Sequence, residues 1–336
     1  MSILSKILVS VVLAGGGYLI AGAALAISQT PVAPEPTGGK GLDFSETKNV
    51  AEDGIPVMQT FQARDGVQLP YRRWSSEKGA PALILVHGSS WHGRQFWELA
   101  PALAAKGYDV IVPDMRGHGE NPVKRGDVEH VGQYEEDIAD LIEEIGLKQA
   151  GSKVILGGHS SGGGFVVRFA GGPYGKLADG YLLMAPYLGY NAPTARPQSG
   201  GWAHSATRRI IGLSMLNNVG VTQLNHLPVV AFAMPEFVRK GPLGHTVTDV
   251  YSYRLLTGFS PRRDFAADLK AMVQPVLLVA GAKDEAFFAD LYEPTISAQT
   301  ASGEYHLLDG ENHLGMVDNA QTPELIGGWM EKHFPR

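Results

Sequence analysis

The sequence contains no cysteine. That excludes disulfide staples, thiolate metal sites and a cysteine nucleophile, and it assigns no redox compartment. Charge is also sparse, with 18% of residues charged against 44% hydrophobic, a balance that suits a globular protein with a large core. The formal net charge of −6 offers no basic footprint for nucleic acid. No H-E-x-x-H or comparable cluster occurs, so no metal is expected. No glycine-rich fingerprint stands where a dinucleotide would need one, and no cofactor is expected. The chain of 336 residues shows no internal repeat, and a large α/β unit with an insertion fits its length.

One stretch lacks charge altogether. Between Lys6 and Glu35 no charged residue appears, and Ile7 to Ile27 is dominated by Val, Leu, Ile, Ala and Gly. Such a run is long enough to cross a bilayer core as a helix, and the lysine before it would hold the N-terminus in the cytoplasm. Residues 1–28 are therefore expected to be a membrane anchor or a signal peptide. Ala24-Leu25-Ala26 matches an A-x-A cleavage signal, although the apolar run exceeds the usual signal-peptide core. Either way the remainder would be exported, held by a single pass or released by cleavage after Ala26. Residues 29–50, rich in Pro and Gly, read as a linker, and 51–336 as the folded domain.

What the chain does have is Gly158-His159-Ser160-Ser161-Gly162. The β-branched run Lys153–Gly157 leads in, and Gly163–Phe169 leads out with helical spacing. Strand, G-x-S-x-G, helix is the context of a nucleophile elbow. A serine at such a tip is strained, and bulky neighbours two residues away would collide with strand and helix. As a bare pattern it would mean little in a chain with 42 glycines.

The rest alternates. Strands are expected at Val57–Ala63 and Val67–Trp74 around the turn signal Asp65-Gly66. Continuous apolar strands follow at Ala82–Val86, Tyr108–Asp114, Gly180–Ala185 and Pro275–Gly281, with a last one at Glu304–Leu308. Helical stripes lie between them, at Phe96-Leu99-Ala100-Leu103 and Tyr134-Ile138-Leu141-Ile142-Ile145, and a final helix runs from Thr322 to about His333. This predicts an α/β fold: a mostly parallel sheet with helices on both faces. The rhythm lapses over about 187–263, an insertion expected to be a helical cap. That insertion holds Arg196, Arg208, Arg209, Arg239, Lys240, Arg254, Arg262 and Arg263 against only Glu236 and Asp249. A basic lid meeting anionic lipid is one expectation for it; a solvated cap is the other.

The order β–His87-Gly88, β–Asp114-x-Arg116-Gly117-His118-Gly119, elbow, insertion, β–Asp284, β–His313 resembles the α/β-hydrolase superfamily. Within it the pattern is similar to the branch of monoacylglycerol lipases, lysophospholipases and serine-aminopeptidase-like esterases. The resemblance covers roughly Val57 to the C-terminus; the insertion matches in position only. It implies Ser160 as nucleophile, Asp284 as acid and His313 as base, in the chain order of the superfamily. Asp284 fits the Gly-x-x-Asp spacing after its strand, with Glu285 the rival beside it. It also implies an oxyanion hole from the backbone amides of Ser89 and Ser161. His118, Asp114 and Arg116 are expected to brace loops, and His159 to flank the pocket. The expected function is hydrolysis of a small-molecule carboxylic ester, lipid-like as in a monoacylglycerol or lysophospholipid. Amide or peptide hydrolysis is the alternative, and a non-catalytic binding module on a membrane stalk is a third.

Overall fold

The computed structural model describes residues 2–36, 41–44 and 54–335, without the side chains of residues 4, 6–9 and 11. The Lys6 side chain, on which the expected orientation rested, and residues 37–40 and 45–50 of the expected linker therefore lie outside what is described.

The chain begins with α1 (Ile3–Ile27), followed by β1 (Gln59–Gln62), β2 (Gln68–Trp74), β3 (Ala82–Val86), α2 (Leu99–Ala105) and β4 (Asp109–Pro113). Next come α3 (Gln133–Glu144), β5 (Val154–His159), α4 (Ser161–Ala170) and β6 (Gly180–Met184). The insertion contributes α5 (Gln198–Gly201), β7 (Ala203–Ser205), α6 (Thr207–Asn217), β8 (Pro228–Phe232), α7 (Glu236–Arg239), β9 (Val250–Ser252) and α8 (Tyr253–Phe259). The chain closes with α9 (Phe265–Lys270), β10 (Val276–Gly281), α10 (Tyr292–Ser297), β11 (Gly303–Leu308), α11 (Gly315–Asp318) and α12 (Gln321–His333).

Eight strands form one sheet in the order β1-β2-β4-β3-β5-β6-β10-β11. Only the β1–β2 and β2–β4 pairs are antiparallel. The unbroken apolar runs have a simple cause. Along β3 the pleat sends Ile84 and Val86 to one face, where they pack with Tyr134, Phe165 and Phe169 of α3 and α4. It sends Leu83 and Leu85 to the other, against Leu99 and Leu103 of α2 and Ile326 and Trp329 of α12. Both faces are covered, so the middle positions of the central strands are apolar, and polar residues such as Asp109 and His159 stand at strand ends. Ligand sites in such sheets gather at the carboxyl ends of the parallel strands, and the loops after β3, β5, β10 and β11 all leave from there.

Between β6 and α9 sits the cap, which carries the antiparallel sheet β7-β8-β9 as well as helices. The apolar run Val229–Phe232 lies in β8 and is buried throughout. The basic residues of the cap are turned largely to intramolecular partners. Arg254 pairs with Asp127 at 2.8 Å, Arg262 with Asp268 at 2.8 Å and Arg239 with Asp249 at 3.1 Å. Arg196 donates to the Phe287 carbonyl and lies over the Phe288 ring. Arg208, Lys240 and Arg263 remain exposed, so the basic surface is smaller than the composition of the insertion implies.

The N-terminal helix corrects a second expectation. Among the described residues no helix is long and apolar enough to cross a membrane. What the structure shows instead is packing against the cap. Gly22 of α1 meets Leu216 of α6, and Gly212 of α6 lies against the backbone of Gly22 and Ala26. Ala26 is buried with Leu213, Leu216 and Val229, and its carbonyl accepts from Arg209 Nε at 2.8 Å. A run of small uncharged residues suits close helix–helix approach as well as it suits lipid. The expectations of a membrane anchor, of a signal segment cut after Ala26 and of an exported, membrane-held domain are withdrawn on these grounds.

Replacing Gly212 by Val places a side chain where the α1 backbone stands. We expect a loss of about 1–3 kcal/mol, typical of overpacking, read as a lower thermal midpoint. Limited proteolysis should then release the N-terminal segment before it cuts the sheet. Unchanged midpoint and protection would show that α1 does not dock on α6.

Candidate active site

Ser160 sits between β5 and α4 with φ 55° and ψ −119°, a region that a non-glycine residue rarely adopts. The ladder still holds it, because its N–H donates to Met184 O at 2.9 Å. The two flanking glycines are obligatory. A Cβ on Gly162 would strike the carbonyls of Val86 and His87, and one on Gly158 would strike the Gly162 backbone. Ser161 opens α4, where the first N–H groups have no partner inside the helix.

The loops after β10 and β11 bring Asp284 and His313 together. Asp284 Oδ2 lies 2.8 Å from His313 Nδ1, and both side chains are buried. Asp284 Oδ1 accepts from the amides of Ala286 and Phe287 at 2.8 and 2.9 Å, so the carboxylate cannot rotate away. His313 Nε2 is buried and finds no hydrogen-bond partner among the described residues. Ser160 and His313 line one cavity of about 90 Å³. Burial alone would lower the His313 pKa, but the Asp284 charge and hydrogen bond, helped by Glu285, hold it above the ordinary value of 6.5.

Among the described residues Glu285, the rival in the sequence, makes no hydrogen bond to the imidazole. Its Oε2 accepts from the His313 backbone N–H at 2.9 Å. Its Oε1 accepts from the Asp43 N–H at 3.0 Å.

The loop after β3 faces the elbow. Gly88 N–H donates to Gln95 Oε1 at 2.8 Å, Gln95 Nε2 stands 2.7 Å from His159 Nδ1, and His159 Nε2 stands 2.9 Å from the His313 carbonyl. With Gln95 Oε1 accepting, Nε2 must donate, so His159 Nδ1 accepts and its Nε2 carries the proton. Burial and the nearby His313 push the His159 pKa well below its ordinary value, in keeping with that neutral ring. The chain of bonds ties the loops after β3, β5 and β11 together. Ser89 and Ser90 are held by the cap: Trp202 Nε1 donates to Ser89 Oγ at 2.9 Å, and the Tyr251 hydroxyl accepts from Ser90 N–H at 2.6 Å.

His118 Nε2 lies 2.6 Å from the same Tyr251 hydroxyl. Arg116 pairs with Asp137 and Asp65, and Asp114 accepts from the Gly93 and Glu120 amides. These groups sit behind the site and shape its loops. Sequence reasoning missed Gln95, Trp202, Tyr251 and the double use of Glu285. Gln95 lies seven residues after a recognisable His-Gly pair, but no spacing rule points to it; the other three depend on folding of the cap and the N-terminal segment.

The mostly parallel sheet, the strained elbow and the acid and histidine loops in that order define an α/β-hydrolase, and a serine hydrolase of the carboxylesterase and lipase-like kind. More narrowly, the chain belongs to the family described as serine aminopeptidase, S33, whose model matches residues 78–318. Among curated proteins it is 27% identical over 288 residues to a non-heme chloroperoxidase of Kitasatospora aureofaciens, covering 78% of this chain and 94% of that one. It is 29% identical over 156 residues to the monoglyceride lipase of Homo sapiens, covering 46% of this chain and 48% of the lipase. Among solved structures, a monoacylglycerol lipase of Paleococcus ferrophilus aligns with a TM-score of 0.59 at 20% identity, over 79% of this chain and 99% of that one. A soluble variant of monoglyceride lipase from Saccharomyces cerevisiae aligns with a TM-score of 0.63 at 18% identity, over 90% and 99%. At such identities the structural likeness speaks for the fold.

Proposed function

We propose that the protein hydrolyses carboxylic esters through an acyl-enzyme formed on Ser160. The observation that carries this reading is His313. Its Nδ1 is locked by a doubly anchored Asp284, while its buried Nε2 has no hydrogen-bond partner among the described residues and opens with Ser160 on one cavity. In this mechanism His313 Nε2 takes the Ser160 proton as Oγ attacks the ester carbonyl. Asp284 holds the tautomer and stabilises the imidazolium. The amides of Ser89 and Ser161 receive the oxyanion. His313 then returns the proton to the leaving alcohol, and water, activated by the same base, releases the acid.

Phe44, Trp91, Trp202, Leu243, Leu314 and Val317 face the cavity and suit an apolar acyl group, beside the charged Arg94, Glu98 and Asp318. A monoglyceride lipase and a Bacillus subtilis phospholipase are among the relatives, and monoacylglycerols and lysophospholipids with short acyl chains are the lipid-like members of this ester class that the cavity would take. The test sets p-nitrophenyl esters and monoacylglycerols beside aminoacyl p-nitroanilides. Ester turnover without amide turnover is expected, with a fluorophosphonate attached to Ser160. Because His313 must be neutral to act and its pKa is raised, kcat/KM should fall with acid through a midpoint above 6.5. Amide turnover alone would assign the protein to peptidase chemistry. Absence of label at Ser160 would return it to a binding role.

A further inference from the structure

The segment Gly41–Phe44 reads in sequence as part of a linker, yet it reaches the centre of the site. Gly41 N–H donates to Gly200 O at 3.0 Å. Asp43 N–H donates to one oxygen of Glu285, whose other oxygen holds the His313 backbone. Phe44 is only 6% exposed. Its ring lies 5.8 Å from that of Trp91 and 5.6 Å from that of Trp202, and Trp202 in turn holds Ser89. Leu42 and Phe44 line the same cavity as Ser160 and His313. This strap therefore touches the base loop on one side and the oxyanion loop on the other.

We propose that Gly41–Phe44 is the distal wall of the substrate pocket, and that Phe44 sets the length of acyl chain the enzyme accepts, confining it to short-chain esters. The inference rests on ester hydrolysis at Ser160 and names the substrate class of that site. Volume supports it. The cavity of about 90 Å³ is several-fold smaller than the roughly 300–1,000 Å³ of sites that enclose drug-sized ligands. A long acyl chain would need the room that the Phe44 ring occupies between the two indoles. Polar contacts support it too. A strap fixed through its backbone to Gly200 and Glu285 cannot step aside as freely as a loop that merely lies over the opening.

The test measures kcat/KM for p-nitrophenyl acetate and p-nitrophenyl octanoate on the full chain. Wild type should favour acetate. In Phe44→Ala the octanoate-to-acetate ratio should rise about tenfold or more, since even one methylene that gains or loses its place in an apolar pocket changes kcat/KM by about 10–200-fold. Phe44→Trp should lower the ratio further. If Phe44→Ala fails to fold, Phe44→Leu must still move the ratio upward, and a purely structural role would depress both esters alike. A ratio unmoved in an active variant, or a wild type that already favours octanoate, overturns the inference and leaves the ester reading standing. A wild type that turns over neither ester overturns both.

Discussion

Ser160→Ala and His313→Ala, made separately, should each lower kcat on a short ester by on the order of 10⁵–10⁶, and the double variant should be no worse than either single one. The losses do not add because nucleophile and base act as a unit. Ser160 without a base is a poor nucleophile, and His313 without Ser160 Oγ has nothing to activate in the first step. What survives should be the residual acceleration of about 10³–10⁴ over water that an oxyanion hole and binding provide by themselves. Intact-mass spectrometry after fluorophosphonate treatment gives an independent reading. The label should disappear in Ser160→Ala, and it should form far more slowly in His313→Ala. A Ser160→Ala protein that keeps wild-type turnover would remove the elbow from the chemistry altogether.

How far this site was legible in the sequence depends on where each part of it comes from. Ser160 announces itself because the elbow is a local structure, with Gly158 and Gly162 dictated by backbone contacts a few residues away. The central strands were equally readable, since a run such as Ala82–Val86 is buried on both faces and must be apolar throughout. Asp284 and His313 could be placed because each follows a readable strand. Non-local partners were another matter. Trp202 and Tyr251 reach the loop after β3 from the cap, separated from it by 113 and 161 residues, and no periodicity encodes such a pairing. The N-terminal segment misled for a related reason. Composition cannot distinguish small uncharged residues that face lipid from the Gly22 and Ala26 that let α1 lie on α6. In the same way a proline- and glycine-rich stretch hid Phe44, whose ring lines the cavity.

Asp284→Asn should lower kcat near neutral pH by about 10⁴, while Glu285→Gln should cost only about tenfold. The two carboxylates are adjacent, so the comparison isolates what each one touches. Asp284 meets His313 Nδ1 directly. An asparagine there would present either its carbonyl, without the charge that stabilises the imidazolium, or its amide, which turns the ring to the wrong tautomer. Among the described residues the Glu285 carboxylate hydrogen-bonds backbone alone: the His313 and Asp43 N–H groups, one on each oxygen. A glutamine keeps one acceptor but sets an NH₂ against the other N–H, and a single unsatisfied contact of this kind is worth about 1–3 kcal/mol. Glu285 is thus a positioning residue, and its pH profile should show it. Burial lowers the His313 pKa while Asp284 and, less strongly, Glu285 raise it. Removing either negative charge should therefore move the acid limb of kcat/KM to lower pH, by more for Asp284→Asn than for Glu285→Gln. A loss of activity that confines the protein to packing effects would leave that limb where it is. If Glu285→Gln proves the crippling change and Asp284→Asn the mild one, the acid of the triad lies one residue further along the chain.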